Sequence, residues 1–219
     1  MGRRTRTRER LIETAAGLFW AQGYAQTGVS AIIKRAGATS GSFYHFFATK
    51  EDLLLAVIDR VGAVLDAEVL GPAEAEAQPR DRVRAMAARY RECLSEDSTV
   101  FGLPVGHLVG ELGTEHPEAR GRVAGLFESW VGRVEGWLGE MAELELGEAG
   151  RRELAELVVS ALEGAAVQAR VRGELRALDA CIAHVARTLD ASRAGAAQAL
   201  EPVRRTPAGG AGGVDWRAW

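Results

Sequence analysis

The chain has 219 residues, 47% hydrophobic and 26% charged, with six prolines and a net charge of −3. Those are the proportions of a globular chain of one or two domains, long enough to bury most of its apolar surface without staples. Two cysteines, Cys93 and Cys181, make no disulfide framework, and in the absence of a long apolar run neither a membrane-spanning helix nor an export signal is expected, so the expected location is cytoplasmic.

Ala, Leu, Glu and Arg dominate and strand-type Val/Ile/Thr runs are scarce, so the expected class is all-α. The first helix is predicted from about Thr5 or Thr7 to Gln22. Leu11, Ala15, Leu18 and Phe19 share one face, with Ile12, Ala16 and Trp20 beside it, and Gly23 is the stop. Short helices follow at Val29–Ala36 and Ser40–Phe47. A fourth begins at Thr49, with Asp52 placed for a capping box, and runs toward Val69 on Leu54, Val57, Ile58, Val61 and Leu65. Gly71-Pro72 is expected to end it.

An acidic, Ala-rich connector leads to Arg80–Ser95, with Val83, Met86, Ala87, Tyr90 and Leu94 on one side. Gly102–Leu112 is apolar and rich in glycine. His116–Glu143 carries Val123, Phe127, Trp130, Val134, Trp137, Leu138 and Met141, and Gly147–Gly150 breaks it. Arg151–Arg172 and Ala177–Leu189 complete a body of helices, about nine in the whole chain. The division expected is 1–48 for the head, 49–193 for the body with 49–70 as linking helix, and 194–219 as a flexible tail containing Trp216 and Trp219.

Charge is unevenly spread. Residues 1–50 carry Arg3, Arg4, Arg6, Arg8, Arg10, Lys34, Arg35 and Lys50 against Glu9 and Glu13, a balance of +6 that leaves −9 for the remainder. A basic unit on an acidic body points to an anionic partner for that unit alone, although a solvated basic arm has the same composition.

Within the basic unit, the two short helices flank Gly37. A helix-turn-helix needs a tight turn with a left-handed residue, which glycine adopts without a Cβ clash. Ile32, Ala36 and Phe43 can form the small core beneath it. Thr39 and Ser40 can cap the next helix, and Ser40, Gly41 and Ser42 are small enough for close approach to a groove floor. His45 is a candidate for a base edge, while Tyr44 and Lys50 suit phosphates.

The residues Gly23-Tyr24, Thr27, Val29, Ile32, Ala36-Gly37, Gly41-Ser42-Phe43-Tyr44-His45, Phe47 and Lys50-Glu51-Asp52-Leu53-Leu54 closely resemble the TetR family of transcription regulators. The resemblance covers about residues 8–60. It implies a homodimer whose subunits each have a three-helix DNA-binding head, a linking helix and an all-α body with a small-molecule pocket. It also implies phosphate contacts for Thr27, Tyr44 and Lys50, with Thr39, Ser40, Ser42 and His45 at or near the bases. Gly28 and Ile33 depart from the family pattern without removing it. Thr27-Gly28-Val29, with the body segment 102–111, is similar to the LmrA/YxaF-like branch.

In the body, Met86, Tyr90, Cys93, Phe101, His107, Phe127, Trp130 and Trp137 are candidates to line an apolar ligand cavity; the competing reading is ordinary core. His107 and Glu111 stand four residues apart without further ligands at metal spacing, so no metal or cofactor is expected. Glu163 and Gln168 are expected at the solvent. Residues 151–172 and 177–189 are the expected homodimer contact, with Ala161, Ala165 and Ala169 as a small-residue ridge; intrachain packing is the alternative. The resulting expectation is a repressor released from a pseudo-palindromic operator by a small apolar or amphipathic ligand. A TetR-like activator, or a regulator without a ligand, reads the same in sequence. An enzyme with a helix-turn-helix head lacks any catalytic constellation.

Overall fold

The computed structural model describes residues 3–95, Gly106 and residues 115–191. Phe101, His107, Glu111, Trp216 and Trp219 lie outside the described residues, as do the Gly102–Leu112 stretch (Gly106 excepted) and the segment expected to be a tail. The described residues contain nine α-helices and no strand. They are α1 (Arg3–Gln22), α2 (Val29–Arg35), α3 (Ser40–Phe46), α4 (Lys50–Val64), α5 (Gly71–Glu74), α6 (Pro79–Cys93), α7 (Pro117–Gly139), α8 (Glu148–Arg172) and α9 (Arg176–Ala191).

The head is α1 to α3. Leu11, Ile12, Ala15, Ala16 and Phe19 of α1 are buried against Ile32, Ala36, Phe43 and Phe47, as their spacing predicts; Leu18 and Trp20 are only partly covered. Gly23 at φ 89° ends α1, and Gly37 at φ 58° turns α2 into α3. Both need the left-handed region that glycine enters without penalty.

Thr49 and Asp52 form the expected capping box at α4. The Thr49 hydroxyl accepts from the Asp52 N–H at 3.0 Å, and the Asp52 carboxylate accepts from the Thr49 N–H at 2.8 Å. From Leu53 to Ile58 every residue of α4 is buried. A helix enclosed on all sides must be apolar all round, and α4 is enclosed because α1 packs on one side of it and α7 on another. Gly62 lets α7 come close, since a Cβ there would lie 2.6 Å from Leu126 Cδ2.

Gly71-Pro72 does not end this helix. The chain widens into a π turn at Leu65–Leu70, the Gly71 N–H donates to the Asp66 carbonyl five residues back, and helix resumes as α5. Pro72 falls in the first turn of α5, where its missing N–H is not required. A Cβ on Gly71 would sit 2.8 Å from the Asp66 carbonyl oxygen, so the wide turn itself demands glycine. The linking helix therefore reaches Glu74 rather than about residue 70.

Arginines brace the body. Arg133 on α7 binds Asp66 at 3.0 Å and Glu74 at 2.9 Å, straddling the π turn. Arg122 joins α7 to Asp59 of α4 at 2.6 Å, and Arg152 joins α8 to Glu128 of α7 at 2.6 Å. These pairs are at or near the surface, where each is worth about 0–1 kcal/mol, so they orient helices more than they stabilise them.

Candidate nucleic-acid interface

On α3, Phe43 is fully buried and Phe47 just beyond it nearly so. They fix the helix to the head and turn its other side outward. Thr39, Ser40, Gly41, Tyr44 and His45 are exposed there and Ser42 is half-buried. The Thr39 hydroxyl accepts from the Ser42 N–H at 3.1 Å and donates to the Ser42 hydroxyl oxygen at 3.0 Å, which caps α3 and orients both side chains. Tyr44 is 59% exposed with its ring edge-on to Phe43 at 5.2 Å, so its phenol is held outward by packing at its base.

Two phosphate candidates are placed differently from expectation. Thr27 is fully buried: its hydroxyl donates to the Gly23 carbonyl at 2.6 Å and accepts from the Gln22 amide at 3.1 Å. In the free chain that hydroxyl ties the α1–α2 loop together and is not presented on the surface. Lys50 is half-buried, with Nζ 4.1 Å from the centre of the Tyr24 ring. The Tyr24 hydroxyl titrates above its ordinary value because of burial and then the Glu51 carboxylate, so the ring stays neutral beneath the ammonium.

Other basic groups join the head surface. The Arg8 guanidinium lies 5.5 Å over the Phe47 ring, and Arg10 reaches the Gly37 carbonyl at 3.5 Å. Lys34 and Arg35 are exposed in the last turn of α2. The sequence alone puts Arg8 in a basic arm that could follow phosphates or enter a minor groove; it lies instead in α1, and nothing in the spacing links α1 to Phe47 or Gly37.

In the body, Met86, Tyr90, Cys93, Trp130 and Trp137 are buried and Phe127 is half-buried. Tyr90 and Trp130 meet at 5.1 Å, and the Trp130 indole N–H donates to Met86 Sδ at 3.1 Å. Trp137 lies about two turns farther along α7. Glu163 is not at the solvent. It is 7% exposed, accepting from the Tyr90 hydroxyl at 2.6 Å and from the Gly106 N–H at 2.9 Å. The correction has a physical reason: a carboxylate can be buried where two donors converge on it. Burial, then the Glu163 charge, push the Tyr90 hydroxyl well above its ordinary range and keep it a donor. Burial likewise raises the Cys93 thiol. Among the described residues no cluster could hold a metal ion, and no helix is long and apolar enough to cross a membrane.

The family described as bacterial regulatory proteins of the tetR type matches residues 11–57, and the LmrA/YxaF-like C-terminal domain of transcriptional regulators matches residues 79–192, over half of the chain. The chain belongs to the TetR family. Its TetR relatives include the uncharacterised regulator YxaF of Bacillus subtilis, 27% identical over 159 residues, 72% of this chain and 82% of that protein. An uncharacterised regulator of Mycobacterium tuberculosis H37Rv is 30% identical over 179 residues, 78% of this chain and 88% of its own. Among solved TetR structures, a regulator from Chloroflexus aurantiacus superposes with a TM-score of 0.76 at 26% identity, covering 87% of this chain and 97% of that one. Reduced Escherichia coli NemR, described as a repressor, gives 0.70 at 26% identity, covering 82% and 94%. The protein is thus a TetR-family transcription regulator with α2 and α3 as its helix-turn-helix.

Proposed function

We propose that the protein is a ligand-responsive repressor that acts as a homodimer on a pseudo-palindromic operator, with residues 1–48 as head and 49–193 as body. The observation that carries the DNA-binding part is the outward side of α3, where Thr39, Ser40, Gly41, Ser42, Tyr44 and His45 stand over an anchor of Phe43 and Phe47. Thr39, Ser40, Ser42 and His45 read base edges, Gly41 allows close approach, and Tyr44 and Lys50 hold phosphates. The test is a fluorescence-anisotropy titration with duplex DNA over a salt series. A decline in log affinity with log salt of about 0.9 per neutralised phosphate is expected; Lys50→Met removes up to one such step, whereas Tyr44→Phe, which removes only an uncharged hydrogen-bond donor, weakens binding and leaves the slope unchanged. Binding that is absent or independent of salt overturns the reading.

The dimer is supported by the outward side of α8 and α9. Leu157, Ala161, Gly164, Gln168 and Val171 recur at alternating four- and three-residue spacing, the pattern of a helix–helix seam. Leu157 is 57% and Val171 81% exposed, and an apolar groove of ≈ 570 Å³ runs between α8 and α9. Ala165 and Ala169 pack within the chain instead, so the ridge shifts by a few residues from the expected one. Two half-sites would then lie about 34–36 Å apart or a multiple of it. Leu157→Glu should yield monomers in sedimentation velocity and lose tight operator binding.

For the effector, Met86, Tyr90, Trp130 and Phe127 beside Glu163 offer a place in the body where apolar side chains and a buried carboxylate converge. Glu163→Gln should alter release from DNA without abolishing DNA binding.

A further inference from the structure

The head meets the body at a cluster that periodicity does not reveal. His116 is the N-cap residue of α7, yet its imidazole does not cap that helix. Nδ1 lies 3.0 Å from Glu51 Oε1 at the start of α4, and the ring stands edge-on to Tyr24 with centres 5.2 Å apart and planes at 88°. With the Nδ1–H tautomer the imidazole donates this hydrogen bond and the carboxylate oxygen accepts it. Tyr24 is the ring over which Lys50 Nζ sits at 4.1 Å. One body residue therefore touches both the ring that supports the Lys50 ammonium and the carboxylate adjacent to Lys50 in the chain.

We propose that His116 is a positioning residue for DNA binding. Through Tyr24 and Glu51 it holds Lys50 at the border of the α3 surface, and displacement of the start of α7 withdraws that cation from the DNA backbone. Tyr24 belongs to the α1–α2 loop, Lys50 and Glu51 to α4, and His116 to the entry of α7, so residues from three parts of the chain meet in one cluster beside the Lys50 ammonium. The proposal rests on α3 being the DNA-reading helix.

The experiment uses the full chain and a duplex that the wild-type protein selects from a random pool, titrated by anisotropy across a salt series. His116→Ala should weaken binding about two- to five-fold, the worth of a partly exposed cation–ring contact, and lower the salt slope by up to about 0.9. His116→Gln, whose amide still donates to Glu51, should recover most of both. In a Lys50→Met background His116→Ala should add nothing. Unchanged affinity in His116→Ala, or losses that add fully with Lys50→Met, overturn the proposal while leaving the DNA-binding reading intact. A pool that yields no duplex for the wild type overturns both. If His116→Ala fails to fold, His116→Phe keeps the ring against Tyr24 without the bond to Glu51. It should then show the same reduced salt slope, and a wild-type slope in that variant overturns the role of the Glu51 contact.

Discussion

Replacing Gly71 by alanine should destabilise the protein, although in most helical positions the same exchange stabilises. Gly71 has φ −59° and ψ −48°, ordinary helical angles, so backbone propensity alone favours alanine by about 0.5–1 kcal/mol. The new Cβ would lie 2.8 Å from the Asp66 carbonyl oxygen, well inside ordinary contact. That oxygen already accepts the Gly71 N–H that closes the π turn, so it cannot move without opening the turn. Overpacking of this kind costs about 1–3 kcal/mol. The balance is a net loss of about 1 kcal/mol.

Gly132 is the matched control. It lies exposed in α7 with open space where a Cβ would go, so Gly132→Ala should gain about 0.5–1 kcal/mol. Urea unfolding followed by circular dichroism, at one fixed protein concentration because association would shift the midpoint, compares the two. If Gly71→Ala proves as stable as Gly132→Ala, the account of the wide turn is wrong.

Tyr90→Phe removes a 2.6 Å bond to a buried carboxylate and should cost about 1.5–3 kcal/mol in the same assay. It should also flatten the alkaline limb. The folded state holds the Tyr90 proton above the ordinary tyrosine value of about 10, so this group's stabilisation is full below that pH and is lost as pH rises through the folded-state value. A pH series in which both proteins lose stability in parallel above pH ~10 would refute this. Thr49→Ala should cost about 1 kcal/mol through loss of the α4 capping box, and Thr49→Ser should retain most of it, read as urea midpoints. Gly37→Ala should cost about 1–2 kcal/mol for left-handed backbone alone, since no atom lies within 4 Å of the added carbon. An unchanged midpoint would remove the stated reason for glycine in that turn.

The head was legible because its signals are local. Gly37, the Thr39 cap and the Thr49–Asp52 box each act across three or four residues, and Phe43 and Phe47 repeat at helical spacing. The phosphate role expected for Thr27 comes from the family resemblance and not from a local signal, and its enclosure by the Gly23 carbonyl and the Gln22 amide leaves no mark in residue spacing. In the body the misreadings share a cause in distance or register. Gly71-Pro72 reads as a stop because hydrophobic spacing carries no sign of a five-residue hydrogen-bond register. Glu163 reads as solvent because its partner Tyr90 is 73 positions away. His116 meets Glu51 across 65 positions, and the pair leaves no trace in any window of sequence.

The placement of Lys50 has a practical consequence. Lys34 and Lys50 are the chain's only two lysines, against 25 arginines. Apart from the His116–Glu51 contact, the ion pairs that tie one part of the body to another in the described residues are made by arginine. Side-chain amine chemistry is therefore confined to two positions, one at the end of α2 and one at the start of α4. Reductive methylation followed by peptide mass mapping would follow two side-chain amines apart from the α-amine, one exposed on α2 and one lodged against a tyrosine ring. Their relative rates, with and without duplex, would turn an ordinary labelling reaction into a two-channel footprint of the surface that meets DNA.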